Sequence, residues 1–367
     1  MSADLTKTPT ETPDESSEET ATGTSRGAIP ITAAQLPRLA PLLVAVVGAA
    51  VAAFFWLILD WPPVGSLIVG GIVYLLALPA WSLAVEGRRR ATDRMMTGLV
   101  WTSAVIAMVP LVSLIYTVIS KGAGVVNSEF LTYSLFATQL DQPPGIYHAI
   151  MGTLIITLGA AIISIPIGVL AAIYLVEYGK RNRLARMVTF LVDVMTGIPS
   201  IVAGLFAFAL FTLLFGAGFQ GGIGGSVALS LLMIPIVVRA TEEMLRLVPD
   251  DLREAAYALG TPKWRTITKV VLPTTIGGII TGVTLSIARV IGETAPLLLI
   301  AGLAAKTNTN PFDGAMTTLP VQIYSFNSRQ ETIDLAWGAA LVLIVIVLAL
   351  NLVARLIGKF YAPKTGN

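Results

Sequence analysis

Arg289 and Glu293 are the only charges in an otherwise apolar stretch from about Pro273 to Leu303. Four residues apart, they are expected on one face of a helix, and a charge in a bilayer core costs at least a few kcal/mol, so both must face protein or water. Two chemistries suit the pair, and they are not exclusive. It can be a structural salt bridge, or Arg289 can meet an anion in a pathway while Glu293 sets its orientation. The planar guanidinium donates two hydrogen bonds at once and stays charged at any physiological pH. Asp193, one turn before Gly197-Ile198-Pro199 where a helix can break, is read as a solvated or capped carboxylate at the membrane boundary. His148 is the only histidine and, beside Tyr147 and Ala149, is read as an ordinary interfacial residue rather than a ligand. The absence of cysteine excludes disulfide frameworks and thiolate metal sites.

A second group lies in the polar segment from about Glu242 to Leu272, for which two short helices are predicted. Pro249-Asp250-Asp251 opens the first with acids at the positive end of the helix dipole, and Gly260 supplies the left-handed residue that ends it. Thr261 is the candidate N-cap of the second, with Pro262 at its first position and Trp264, Ile267 and Val271 on one face. An amphipathic helix lying on the membrane is the plainer alternative, but it would not require the Gly and Leu-Pro punctuation. A phosphate-cradling GxxxxGK[ST] loop is missing: the Gly-Lys pairs Gly179-Lys180 and Gly358-Lys359 are followed by Arg181 and Phe360. The Gly-rich turn Gly216 to Gly225 is expected as an external loop, since no helix with the proper Lys follows it.

The elements that must hold these residues are helices in a membrane. Of 367 residues, 55% are hydrophobic and 13% charged, where a soluble domain carries about a quarter charged. A net charge of +2 gives no sign of a nucleic-acid partner. A bilayer core of about 30 Å needs about 20 apolar residues of helix. Eight segments qualify: about 39–59, 64–85, 95–120, 147–176, 187–215, 226–239, 273–303 and 335–354. The sixth is short and must snorkel or continue as a helix outside the lipid. The fold class is therefore all-α and polytopic. Residues 1–38 read as a disordered acidic cytoplasmic tail rather than a signal peptide, and 39–86 as a hairpin closed by Asp60-Trp61-Pro62-Pro63. With the tail inside, all of the 24 Lys and Arg lie on the cytoplasmic side except Lys121, Lys306 and Arg329 outside and Arg289 within a span.

Glu254-Ala255-Ala256, then Gly260, then Leu272-Pro273 resembles the EAA loop of ABC-importer permeases. GIPSIVAGLF from Gly197, ARVIGETAPLLLIAG from Ala288 and MTTLPVQIYSF from Met316 resemble the phosphate branch of that family, the PstA type. The resemblance runs from about Arg89 to the C-terminus. It implies a six-helix permease domain over 95–357, its coupling loop over 242–272, and an added N-terminal hairpin with no assigned role. It further implies that Glu254, Ala255, Ala256 and Gly260 dock into a separate ATPase, and that Arg289 and Glu293 lie on the substrate pathway. The chain itself would be no enzyme and bind no cofactor, ATP and Mg residing on the ATPase dimer. Its other partners would be a homologous second permease, an extracytoplasmic phosphate-binding protein and the lipid bilayer, in a bacterial cell membrane with both termini cytoplasmic. Rival functions are a permease for another oxyanion such as sulfate or molybdate, an ATP-independent transporter or channel, and a membrane-bound sensor or scaffold.

Overall fold

The computed structural model describes residues 35–179 and 182–361. The tail expected over 1–38 falls outside them up to residue 34, as do Lys180, Arg181 and Lys364. Among the described residues all regular structure is helical. Seven helices are long and apolar enough to cross a membrane, and eight spans result if one sharply bent pair is a single span.

The chain divides into two compact units at Pro110. In the first, α1 (Ala40–Leu57) and α2 (Pro63–Val85) form the expected hairpin, followed by α3 (Arg88–Gly122), within which the boundary falls. Trp61 meets Phe55 edge-on at 5.2 Å across the hairpin turn. Backbones approach closely where Gly48 faces Gly70, for a Cβ on Gly70 would stand 2.5 Å from the Gly48 carbonyl oxygen. Such contact is how apolar helices gain dispersion energy when lipid is as apolar as their side chains. Glu86, between α2 and α3, accepts hydrogen bonds from Arg94 Nε and Nη2 (2.8 and 2.9 Å), the Leu36 amide (2.8 Å) and Ser82 Oγ (2.7 Å). Led by the Arg94 guanidinium and then the Leu36 amide, these donors lower its pKa to about 2.

The second unit begins at Leu111 with the rest of α3, then α4 (Ser128–Thr132) and α5 (Tyr147–Ile173), which runs on into a π-helical turn, Tyr174–Tyr178. Next come α6 (Arg183–Thr196), α7 (Ser200–Phe215), α8 (Gly222–Arg246), α9 (Asp250–Ala258) and α10 (Lys263–Thr266). A second π-helical turn, Ile267–Val271, leads into α11 (Leu272–Val290), and α12 (Ala295–Ile300), α13 (Leu319–Asn327) and α14 (Ile333–Tyr361) complete the chain. At its centre Ile156 and Ala160 of α5 pack with Leu229, Met233 and Val237 of α8, Val290 of α11 and Leu297 of α12. Ser226 Oγ donates to the Ile156 carbonyl across α5 and α8 at 3.1 Å, a pairing possible only where the helix backbones nearly touch.

Three expected spans differ. The fifth is two helices bent by 108° at Gly197-Ile198-Pro199, because Pro199 cannot donate the next helical hydrogen bond and disfavours a helical residue before it. The sixth is a 25-residue helix starting at Gly222 rather than near Ser226, so the latter half of the supposed external Gly-rich loop is helix. Those glycines serve packing: a Cβ on Gly224 would stand 2.4 Å from Ile300 Cγ1. The same helix continues to Arg246, which takes up the first residues of the supposed coupling loop. The seventh stops at Val290, and Ile291 to Thr294 lie outside regular helix before α12.

His148, at the start of the α5 span, is buried in protein rather than solvated. At 2% exposure it accepts from the Leu135 amide at Nδ1 (3.3 Å) and sits 3.2 Å from Gln322 Oε1 at Nε2. Since Nδ1 accepts, Nε2 carries the proton and donates to Gln322, joining α5 to α13.

Candidate functional site

The helix-Gly-helix knob is present, with its halves anchored differently than the sequence suggests. α9 opens after Pro249 with Asp250 and Asp251 in its first turn. It closes at Gly260, whose φ of +75° is the left-handed conformation expected, with Gly260 N–H donating to Tyr257 O (2.9 Å) and Thr261 N–H to Ala256 O (3.2 Å). Thr261 is not the N-cap of the next helix. Its hydroxyl donates back to the Ala256 carbonyl at 2.7 Å, satisfying the end of α9, and Pro262 holds the capping position of α10. Nor is α10 separate: Lys263 to Val290 forms one 28-residue stretch through the π-helical turn, so the second half of the knob is the root of the seventh span. Trp264 is therefore not on the face of Ile267 and Val271; those two are buried and Trp264 is exposed.

The two faces of the knob differ in chemistry. Glu254, Ala255 and Gly260 are exposed, as are Leu259 (84%) and Trp264, whereas Ala256 and Arg253 are buried. Arg253 pins the knob. Its Nε and Nη2 donate to Glu177 Oε1 at 3.1 and 2.9 Å, Nη2 also to the Leu245 carbonyl at 2.9 Å, and Nη1 to the Val248 carbonyl at 2.6 Å and Asp250 Oδ1 at 3.2 Å. One side chain thus ties α9 to the π-helical turn after α5 and to the end of α8. Lys263 reaches the same turn from the other half of the knob, donating to the Glu177 carbonyl and standing 4.8 Å from the Tyr178 ring. A buried ion pair contributes little net stability, because desolvation offsets its Coulombic gain; what it supplies is one fixed geometry. Sequence reasoning missed this clamp because Glu177 and Arg253 are 76 residues apart. The faint signal was an acid at the close of an apolar run.

A second chain of charges sits by the bend in the fifth span. Arg239 of α8 donates to Asp193 of α6 and, at 2.8 Å, to Glu242, which accepts from Arg246 at 2.5 Å. Asp193 is exposed, as expected, but it is paired.

Arg289 and Glu293 are not brought together. Arg289 lies in the last turn of α11 and is exposed; Glu293 follows the helix end and is half-buried. Among the described residues neither forms an ion pair within 4.0 Å. The expected shared helical face fails because the helix ends at Val290, before Glu293, and α12 begins only at Ala295, with Pro296 in its first turn.

A six-span helical core, with a knob between its fourth and fifth spans and a hairpin ahead of it, is the permease fold of ABC importers. A permease chain of the bacterial alginate ABC transporter, solved with an alginate-bound periplasmic protein, has a TM-score of 0.57 to this chain at 14% identity, over 75% of this chain and 97% of that one. Residues 164–367 match the family described as binding-protein-dependent transport system inner membrane component. Phosphate transport system permease protein PstA 1 of Mycobacterium tuberculosis is 47% identical over 281 residues, 76% of this chain and 91% of the relative. The PstA protein of Yersinia pestis is 38% identical over 278 residues, 73% and 90% of the two chains. The chain belongs to the family of binding-protein-dependent transport system inner membrane components, multi-pass proteins of the inner membrane.

Proposed function

We propose that this chain is the permease subunit of an ABC importer that moves inorganic phosphate into the cell, driven by a separate ATPase that grips the knob. The carrying observation is the knob itself. Its inner side is clamped by Arg253 and Glu177, while Glu254, Ala255, Leu259 and Trp264 stand exposed among the described residues. A surface of that mixed chemistry on a rigid mount suits docking into a protein cleft. Since this chain lacks a phosphate-cradling loop, ATP and Mg belong to the ATPase dimer.

Phosphate as the substrate is supported by the relatives' names and by Arg289. An exposed guanidinium in an apolar span must be covered by protein or water, and a homologous second permease packed against α11 would enclose it in a shared pathway. Its donor fork then meets the anion, and Glu293, set apart by the helix break, leaves that fork free. An extracytoplasmic binding protein would deliver the substrate. The bias of Lys and Arg toward one set of loops supports a topology with both termini in the cytoplasm. Closure of the ATPases pushes the knob, and the clamp passes the movement to α5 and α8, so the spans exchange inward and outward access.

The test is radiolabelled phosphate uptake in cells carrying the intact system, comparing wild type with Arg289→Ala and Gly260→Trp while assembly is followed by copurification. Arg289→Ala abolishes uptake with the ATPase still bound, and Gly260→Trp loses the ATPase. Unchanged uptake in both variants, or uptake that survives depletion of the ATPase, sinks the proposal. Competition by sulfate or molybdate at equal concentration would reassign the substrate.

A further inference from the structure

The hairpin α1–α2 and the residues just before it play no part in the transport scheme, yet with the start of α3 they enclose a cleft of about 620 Å³. Its walls change character along their length. Arg38, Arg90 and Arg94 line it together with Glu86 and Asp93, while Leu78 and Tyr74 lie about two to three helical turns from Glu86 along α2 and Trp101 about two turns from Arg94 along α3. Along α3, Trp101 lies about 16 Å beyond Arg90 at 1.5 Å per residue, so a mouth at the membrane boundary leads to a floor well within the apolar layer.

The mouth has a surplus of positive charge. Both oxygens of Glu86 are engaged by Arg94, which cancels that pair and fixes its position against Ser82 and the Leu36 amide. Arg90 stands 3.8 Å from this already satisfied carboxylate, and Arg38 forms no ion pair among the described residues. Besides Glu86, Asp93 is the other acid of the lining, and it is exposed and makes no ion pair among the described residues. A rim where Arg38 makes no ion pair among the described residues and Arg90 only a long one, at 3.8 Å to Glu86, suits a phosphate ester; the aromatic and aliphatic walls suit an acyl chain. Basic pockets between spans on the cytoplasmic side are a setting in which anionic headgroups bind, and the run Arg88-Arg89-Arg90 puts this mouth on that side.

We propose that this cleft holds one anionic phospholipid of the cytoplasmic leaflet, its phosphate between Arg38 and Arg90 and its upper acyl chain against Leu78 and Trp101. The hairpin would then serve as a lipid-binding element added to the permease core. The intact complex, purified in detergent and stripped of loosely held lipid, is titrated with phosphatidylglycerol or phosphatidylcholine and its bound lipid counted by native mass spectrometry. Wild type retains one more phosphatidylglycerol per copy of this chain than Arg38→Ala/Arg90→Ala does, and phosphatidylcholine shows no such difference. Both arginines are exposed, so the double variant keeps the wild-type thermal midpoint. Equal phosphatidylglycerol counts in wild type and variant overturn the proposal. So does displacement of the lipid by millimolar inorganic phosphate, which would make the site one for the free anion. A third arm, Trp101→Ser with both arginines intact, weakens retention at least several-fold; no change there removes the acyl chain from the site and with it the proposal.

Discussion

Replacing Glu177 by Gln leaves Arg253 charged with only the exposed carboxylate of Asp250 beside it, and removes its buried partner from a place where the Glu177 and Arg253 side chains are only 4% and 11% exposed. Breaking one half of such a pair costs about 3–5 kcal/mol, whereas replacing both halves by apolar groups of similar volume is close to neutral. The knob cannot absorb that loss internally. α9 has nine residues, far fewer than an isolated helix needs to persist in water, so it holds its shape by docking onto its neighbours, the π-helical turn after α5 and the end of α8 among them. At 1.4 kcal/mol per factor of ten, the undocked population rises roughly 140-fold to 3700-fold. Amide hydrogen exchange of α9 in the assembled complex reads this directly, because amides that exchange through local opening speed up by the same factor. Glu177→Gln therefore accelerates exchange over Asp250–Ala258 by at least about 100-fold while the α5 and α8 core is unchanged. Glu177→Leu/Arg253→Met returns it to within about tenfold of wild type. In the same preparations, phosphate transported per ATP falls in the single variant. Unaltered exchange in Glu177→Gln would refute the clamp, and faster exchange with unaltered coupling would refute its role in transmitting movement.

The other expectations are smaller or simpler. Gly260→Ala forces a side chain into the left-handed region at a cost of about 1–2 kcal/mol; a Cβ there meets nothing within 4 Å, so the loss comes from strain alone. It should lower the thermal midpoint slightly and weaken ATPase copurification without abolishing it. Asn at this position, which tolerates that conformation better, should restore most of the loss. Glu86→Gln should destabilise the first unit at neutral pH. Because the folded pKa is depressed to about 2, the carboxylate's contribution is present above the ordinary carboxylate range and disappears as pH falls toward that value. The gap in thermal midpoint between wild type and Glu86→Gln should therefore be widest above pH 5 and narrow progressively in acid. Arg289→Lys keeps the charge but not the two-pronged donor geometry, and uptake should fall at least tenfold if the fork meets the anion. Near-normal uptake would leave Arg289 a point charge only.

Apolar runs of the right length made the spans legible, since a bilayer imposes length and hydropathy residue by residue. The same local logic placed the hairpin turn and the end of α9 at Gly260. Errors collected where a local rule met a packing contact. Gly222 to Gly225 looked like loop because glycine weakens an isolated helix, but here α8 uses those positions for close approach to its neighbours. Thr261 had the right type for an N-cap, and its hydroxyl instead found the unsatisfied carbonyl of the preceding helix. The fourfold spacing of Arg289 and Glu293 promised a pair only while the helix continued, and it ends between them.

By itself, then, the sequence determined that this is a many-span helical membrane protein with a helix-Gly-helix knob on its basic side and two charges, Arg289 and Glu293, in a late span. Hydropathy, turn residues and charge bias act over a few neighbours and can be read in one dimension. The tertiary structure alone decided that Arg253 meets Glu177 across 76 residues, that Asp193 meets Arg239, that Arg289 makes no ion pair with Glu293, and that three arginines line a cleft beside α2. Charges have no periodicity that announces a distant partner, and which of them meet is settled only when the helices pack.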